Sequence, residues 1–166
     1  MEIRSATPAD SAGIRNVHLR AFPTPLEADL VEKLEADGDA CFSIVAEDAG
    51  VIVGHVLLGR MTVEADGQPL RALGLAPVGV VPDRQNQGIG GALVEAAVAA
   101  ARESGEQLLF LLGEPDYYGR FGFTAERAQP FASPYAGPYF QALALVELPP
   151  VKSGSASYAP AFAELG

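Results

Sequence analysis

Polar and apolar residues alternate over positions 1–6, the two-residue period of a strand with one covered face. Thr7-Pro8-Ala9-Asp10 then reads as a helix start, with Thr7 as the cap and Pro8 in the first turn. Ile14, Val17 and Leu19 carry that helix to about Phe22, where Pro23 and Pro25 interrupt the chain. Leu30, Val31 and Leu34 fall at helical spacing in a second helix, from about Leu26 to Ala36, which Asp37-Gly38 ends. From there the period shortens to two. Strands are expected at 41–46 and 51–63, joined as a hairpin at Glu47-Asp48-Ala49-Gly50. The stretch Val51 to Leu58 is apolar on both faces, as a central, doubly covered strand would be.

A turn at 64–68 leads into a strand from about Leu70 to Val81, and an alanine-rich helix covers about 88–104 and stops before Gly105. Residues 107–112 form a buried strand. A short helical turn near Tyr117-Tyr118 and strands around 123–132 and 139–148 complete the pattern. The order β-α-α-β-β-β-α-β-α-β-β predicts an α/β (α+β) fold. Its seven-stranded sheet is mixed and mostly antiparallel, with helices on both faces and a single β-α-β crossover. One domain is expected over 1–148. Residues 149–166 read as a linker and tail, with Tyr158, Phe162 and Leu165 docking back on the domain.

Composition narrows the function classes. The chain has 166 residues, 49% of them apolar and 19% charged, which suits one globular core. No apolar run is long enough to span a membrane, and the first residues lack a secretion-signal pattern, so a cytoplasmic protein with no membrane partner is expected. Cys41 is the single cysteine, and with only His18 and His55 beside it no zinc site is expected. A net charge of −10 argues against nucleic acid as a partner. Between Glu27 and Asp48 eight carboxylates face one base, Lys33. That run reads as a solvated helix face with turn residues, and also as a field that attracts a cationic acceptor.

Candidate chemistry starts at Gln85-Asn86-Gln87-Gly88-Ile89-Gly90, between the strand at 75–82 and the long helix. Such a junction aims free backbone N–H groups and the positive end of a helix at one point, an anion site. The helix carries no acid before Glu95, so its own side chains do not occupy that end. A P-loop is excluded by the missing Lys-Ser/Thr, and the dinucleotide fingerprint by Leu93 at its third glycine. A second stretch, Gly113 to Phe123, holds Tyr118 four residues before Gly122-Phe123.

The segment from Val78 to Gly90, with Gln85, Gly88 and Gly90 in a Gln/Arg-x-x-Gly-x-Gly/Ala pattern, resembles the cofactor segment of the GNAT acetyltransferase superfamily. Tyr118 with Gly122-Phe123 resembles that family's Tyr-x-x-x-Gly-Phe pattern, and the element order resembles its fold over 1–148. The resemblance implies acetyl-CoA as cosubstrate, no metal, and an amine acceptor. Gln85, Asn86, Gln87, Gly88, Ile89 and Gly90 would hold the pyrophosphate. Main-chain groups of Val78 and Val80 would pair with the pantetheine arm in the gap before the next parallel strand, and the Val80 N–H would polarise the thioester carbonyl. Tyr118 is implied as general acid to the CoA thiolate, since a phenol of pKa about 10 keeps its proton at neutral pH. Glu27, on the second helix, is the first candidate for general base, with Glu114, Asp116, His18 and His55 behind it. His55, in a strand that reads as central, is more often a satisfied buried histidine, and Cys41 reads as a buried inert thiol. Other acyl groups, other acceptors, a non-catalytic acyl-CoA-binding module and a homodimer stay open.

Overall fold

The computed structural model describes residues 1–165, with side chains as far as Ala163; the side chain of Leu165, expected to dock the tail, lies outside the described residues. The chain folds as two compact units. The first comprises Met1–Gly59, Ala76–Ala97 and the segment from Pro160; the second comprises Arg60–Leu75 and Val98–Ala159.

In the first unit, β1 (Glu2–Ser5) runs antiparallel to β2 (Ala40–Asp48), with Glu2 opposite Glu47 and Ser5 opposite Ile44. β2 turns through Ala49 and Gly50 into β3 (Val51–Ala65), and both turn residues have positive φ (51° and 80°). Such a turn matches the twist of the paired strands. Near its end β5 (Ala72–Val80) lies beside β3, where the Val81 N–H donates to Val53 O at 3.0 Å. The expected helices form as α1 (Ser11–Ala21), α2 (Leu26–Ala36) and α3 (Ile89–Glu103). Their apolar spacing buries Ile14, Val17, Leu30, Val31, Leu34, Ile89 and Leu93 with Val45, Val53 and Leu57 of the strands. Before α1 the chain makes one 3-10 turn (Pro8–Asp10), closed by the Thr7 N–H donating to Asp10 Oδ2 at 2.7 Å. At the far end of this unit, the last 3-10 turn (Pro160–Leu165) places the buried Phe162 ring by Gly59, which Leu34 also approaches.

In the second unit, β6 (Leu108–Leu112) pairs in parallel with the first residues of β5, Ala72 opposite Leu108, and antiparallel with β8 (Phe140–Ala144). The outer residues of β3 pair with β4 (Gln68–Leu70) and with β9 (Gly154–Tyr158), and β9 also pairs with β7 (Phe131–Ala132). Phe110 anchors this core, edge-on to Phe131 and stacked on Phe140, each at 5.3 Å between ring centroids.

Nine strands form among the described residues rather than seven. The expected strand over 123–132 is the main difference. Thr124 makes one bridge to Ala142, and its hydroxyl then accepts the Arg127 N–H at 3.1 Å. That cap turns the chain into the short helix α5 (Ala125–Ala128) and leaves only β7 extended. Residues 154–158 of the expected linker and tail form β9, which takes the edge of β3.

Candidate active site

The end of β5 from Ala76, the 3-10 turn Pro82–Arg84 and the start of α3 make one continuous frame in the first unit. Pro82 opens the turn, and the Arg84 N–H returns to Val81 O at 2.9 Å. Gln85 is extended, Asn86 takes φ 63° and Gly88 φ 85°. Two consecutive amides can then point outward before the helix begins. The Ala92 N–H donates to Gly88 O at 3.0 Å, so the amides from Gly88 to Gly91 stand ahead of the first intrahelical bond. No acid lies in that first turn.

Side chains of the loop brace it rather than fill it. Gln85 Nε2 donates to Val80 O at 2.9 Å and Gln87 Nε2 to Asp83 O at 3.3 Å. Arg84 pairs with Asp48 at 2.9 Å and donates from Nε to Gln87 Oε1 at 3.1 Å. Gln85, Asn86, Gln87 and Gly88 are exposed, Gly90, Val78 and Val80 half-buried, and Ile89 buried as the anchor of the helix end. The structure therefore gathers all eight of the residues expected to hold a cofactor (Val78, Val80 and Gln85 to Gly90) on one strand, turn and helix.

Glu27 sits in the first turn of α2, and its Oε1 is buried without a hydrogen-bond partner. A carboxylate left so is available to a cation or an ammonium. The acidic stretch around it is largely consumed by ion pairs. Arg15 reaches Asp29 (3.0 Å) and Glu32 (3.2 Å), Lys33 reaches Asp37 (3.6 Å), and Arg4 reaches Glu47 (3.0 Å). These pairs support the reading of that stretch as a solvated helix face.

In the second unit, Pro115 starts the single-turn helix α4 (Pro115–Tyr118), followed by a 3-10 turn (Gly119–Phe121). Gly122 takes φ 97°, which lets the chain reverse and bury Phe123. Tyr118 stands edge-on to Tyr117 at 4.9 Å, with Phe121 and Phe123 near it, and its ring lies against Gly113, where any side chain would collide with it. Burial, with a smaller contribution from Tyr117, pushes the Tyr118 phenol up to about 12. Tyr117 packs under Arg120, whose guanidinium carbon lies 4.6 Å from the ring centroid. Glu114 is the residue before α4 and Asp116 lies within it.

Two polar groups, the half-buried Ser43 and the buried Gln141, went unread in the sequence. Ser43, in a run of apolar neighbours, bonds His55, and Gln141 of β8 donates to Gly113 O at 2.9 Å while its Oε1 stays buried and unpartnered. A polar residue on an otherwise apolar strand was the available signal for both. Among the described residues no group of three or more His, Cys, Asp and Glu is placed to hold a metal, and no helix is long and apolar enough to cross a membrane.

The first unit thus holds a strand, a glycine turn and an acid-free helix end, and the second holds a half-buried phenol. Comparison with known proteins gives the family. Residues 2–125 match the family model described as an acetyltransferase (GNAT) domain. The chain is 40% identical over 118 residues to N-acetyltransferase YjhQ of Escherichia coli K12, covering 69% of this chain and 65% of that protein. The match thus spans less than two thirds of that relative. N-acetyltransferase YhbS of the same strain is 35% identical over 124 residues, 74% of this chain and 73% of that one. The crystal structure of Escherichia coli YhbS in complex with CoA superposes with a TM-score of 0.89 at 30% identity, covering 99% of this chain and 93% of that one. A GNAT acetyltransferase from Brucella melitensis in complex with acetyl-CoA gives 0.79 at 34% identity, with 97% of each chain covered. The chain belongs to the GNAT acetyltransferase family, and its fold is that family's mixed, mostly antiparallel sheet flanked by helices.

Proposed function

We propose that this protein transfers an acetyl group from acetyl-CoA to a primary amine by direct attack, with no covalent acyl-enzyme. The observation that carries the reading is the loop from Gln85 to Gly90, whose exposed amides precede an acid-free helix end. Two similar proteins were crystallised with CoA or acetyl-CoA. In this reading the amides from Gly88 onward, with the helix end, neutralise the pyrophosphate. Main-chain groups of Val78 and Val80 align the pantetheine arm, and the Val80 N–H hydrogen-bonds the thioester oxygen as negative charge builds on it. Glu27, with its unpartnered oxygen, receives the ammonium of the acceptor and takes its proton.

Tyr118 hydrogen-bonds the departing thiolate. With its phenol near 12 and a thiol near about 8.5, full proton transfer runs uphill by roughly 3 to 4 units, so a held hydrogen bond is the favoured contribution. The test is CoA release with a panel of polyamines, aminoglycosides, amino acids and peptide N-termini. Saturable release with at least one amine is expected. Tight acetyl-CoA binding with no release from any of them would favour a binding module instead.

A further inference from the structure

The transfer reading leaves one buried series of side chains without a role. His18 of α1 and His55 of β3 are both fully buried. His18 Nε2 lies 2.8 Å from His55 Nδ1, and His55 Nε2 lies 2.8 Å from Ser43 Oγ on β2. One end of the series is His18 Nδ1, which is buried and has no hydrogen-bond partner. It faces β5 at Gly79, where an added Cβ would stand 3.0 Å from that nitrogen. Gly79 lies between Val78 and Val80, the residues assigned to the pantetheine arm, Val80 also to the thioester oxygen. At the other end Ser43 lines a cavity of about 340 Å³ with Thr7, Ser11, Glu35 and Cys41. The series therefore connects that cavity to the strand where acetyl transfer is placed, entirely within the first unit.

Burial lowers the pKa of both imidazoles, and each is neutral at pH 7. A neutral imidazole has one donor and one acceptor nitrogen, so the direction of one bond dictates the direction of the next. If His18 Nε2–H donates to His55, then His55 Nε2–H donates to Ser43, and His18 Nδ1 is left as a bare acceptor. The opposite sense leaves a buried Nδ1–H with nothing to bond.

We propose that His18, His55 and Ser43 run in the first sense and form a proton relay between the transfer centre and the water of that cavity. The proposal rests on the acetyl-transfer reading. Glu27 takes the first proton, which turns the acceptor's ammonium into an amine; as that nitrogen bonds the acyl carbon it loses a second proton, which His18 Nδ1 takes. His18 Nε2–H passes to His55 Nδ1, His55 Nε2–H to Ser43 Oγ, and the serine proton to water. Each ring ends neutral in its other tautomer, so no charge stays buried. Protonation of the thiolate reverses every transfer and restores the starting tautomers. Tyr118, holding its own proton, only hydrogen-bonds the sulfur.

Two measurements test the relay. Histidine-selective nitrogen NMR on the free protein at pH 7 should show His18 unprotonated at Nδ1; a proton on Nδ1 overturns the proposal. Ser43→Ala cuts the series at its cavity end. With spermidine as acceptor, its turnover should fall about 100-fold, the lower end for proton-transfer catalysis, with calorimetric acetyl-CoA affinity unchanged. The curved dependence of wild-type turnover on deuterium fraction should become linear, and Ser43→Thr should recover most of the rate. Wild-type turnover in Ser43→Ala, or an equal loss in Ser43→Thr, overturns the relay. If spermidine is inert, the nitrogen spectra decide. Wild-type protein that fails to bind acetyl-CoA removes the transfer reading and the relay's role together, whereas binding with the wrong tautomer removes the relay alone.

Discussion

The loop at 85–90 and the segment at 113–123 are both glycine-containing turns attached to helices, yet the proposed function uses them by opposite means. In the loop the proposed working groups are backbone amides, and the side chains of Gln85, Gln87 and Arg84 brace the turn. In the second segment the backbone is a scaffold, and one ring, Tyr118, is held by Tyr117, Phe121 and Phe123. Substitutions should therefore act differently. The loop should tolerate side-chain changes except where a glycine is lost, and the aromatic segment should lose its chemistry with a single oxygen atom.

The sharpest contrast is Tyr118→Phe. It keeps the ring and the packing, so turnover should fall about 100-fold while acetyl-CoA affinity stays near the wild-type value. Steady-state kinetics beside calorimetry separates the two, and an unaltered rate would remove the assigned role. The loop's side of the comparison should also be the acid-sensitive one, because the chain's two histidines are both buried in the first unit. Burial takes His18 down to about 4, below its unfolded value of about 6.5, so the unfolded chain binds the proton more readily between those values. Stability is then complete above about pH 6.5 and falls as the pH drops towards 4. By pH 5 the loss from His18 alone is about 2 kcal/mol, roughly 4–8 °C in melting temperature for a domain of this size. His55 adds to it in the same direction. A flat melting temperature between pH 7 and 5 would contradict the buried, neutral pair.

Smaller effects are expected from the braces. Gln85→Ala removes the 2.9 Å bond to Val80 O and should weaken acetyl-CoA binding by about 1 kcal/mol, readable by calorimetry, through a looser turn. Arg84→Ala breaks a partly exposed pair with Asp48, and its melting temperature should move least, for a loss of under about 1 kcal/mol. If Arg84→Ala weakened donor binding more than Gln85→Ala, the guanidinium would be touching a phosphate rather than bracing the turn.

The same contrast explains what the sequence made legible. The loop could be read because glycine spacing, a strand before it and an acid-free helix after it are all local facts. Tyr118 could be assigned only through the resemblance of Tyr-x-x-x-Gly-Phe, because nothing in a single tyrosine says how its ring will pack. The strand expected over 123–132 was lost to the Thr124 cap, a local bond that outweighed the apolar pattern. Ser43, His18 and His55 lie on three different elements, β2, α1 and β3, and meet only in the fold. No period or motif announces such a meeting. His55 did prove to be a buried, hydrogen-bonded histidine, but its two partners come from other elements.

The proposed seat of the donor is the loop, and calorimetric titration of acetyl-CoA into wild type and the double variant Gly88→Val, Gly90→Val tests that directly. Gly88 has open space around it, so valine there does not disturb the core, but its φ of 85° and the close approach of a phosphate both exclude a branched side chain. Saturable binding to wild type and none to the double variant, which should stay folded but melt several degrees lower from the strain at Gly88, is the expected result. Equal affinity in the two proteins would contradict the assignment.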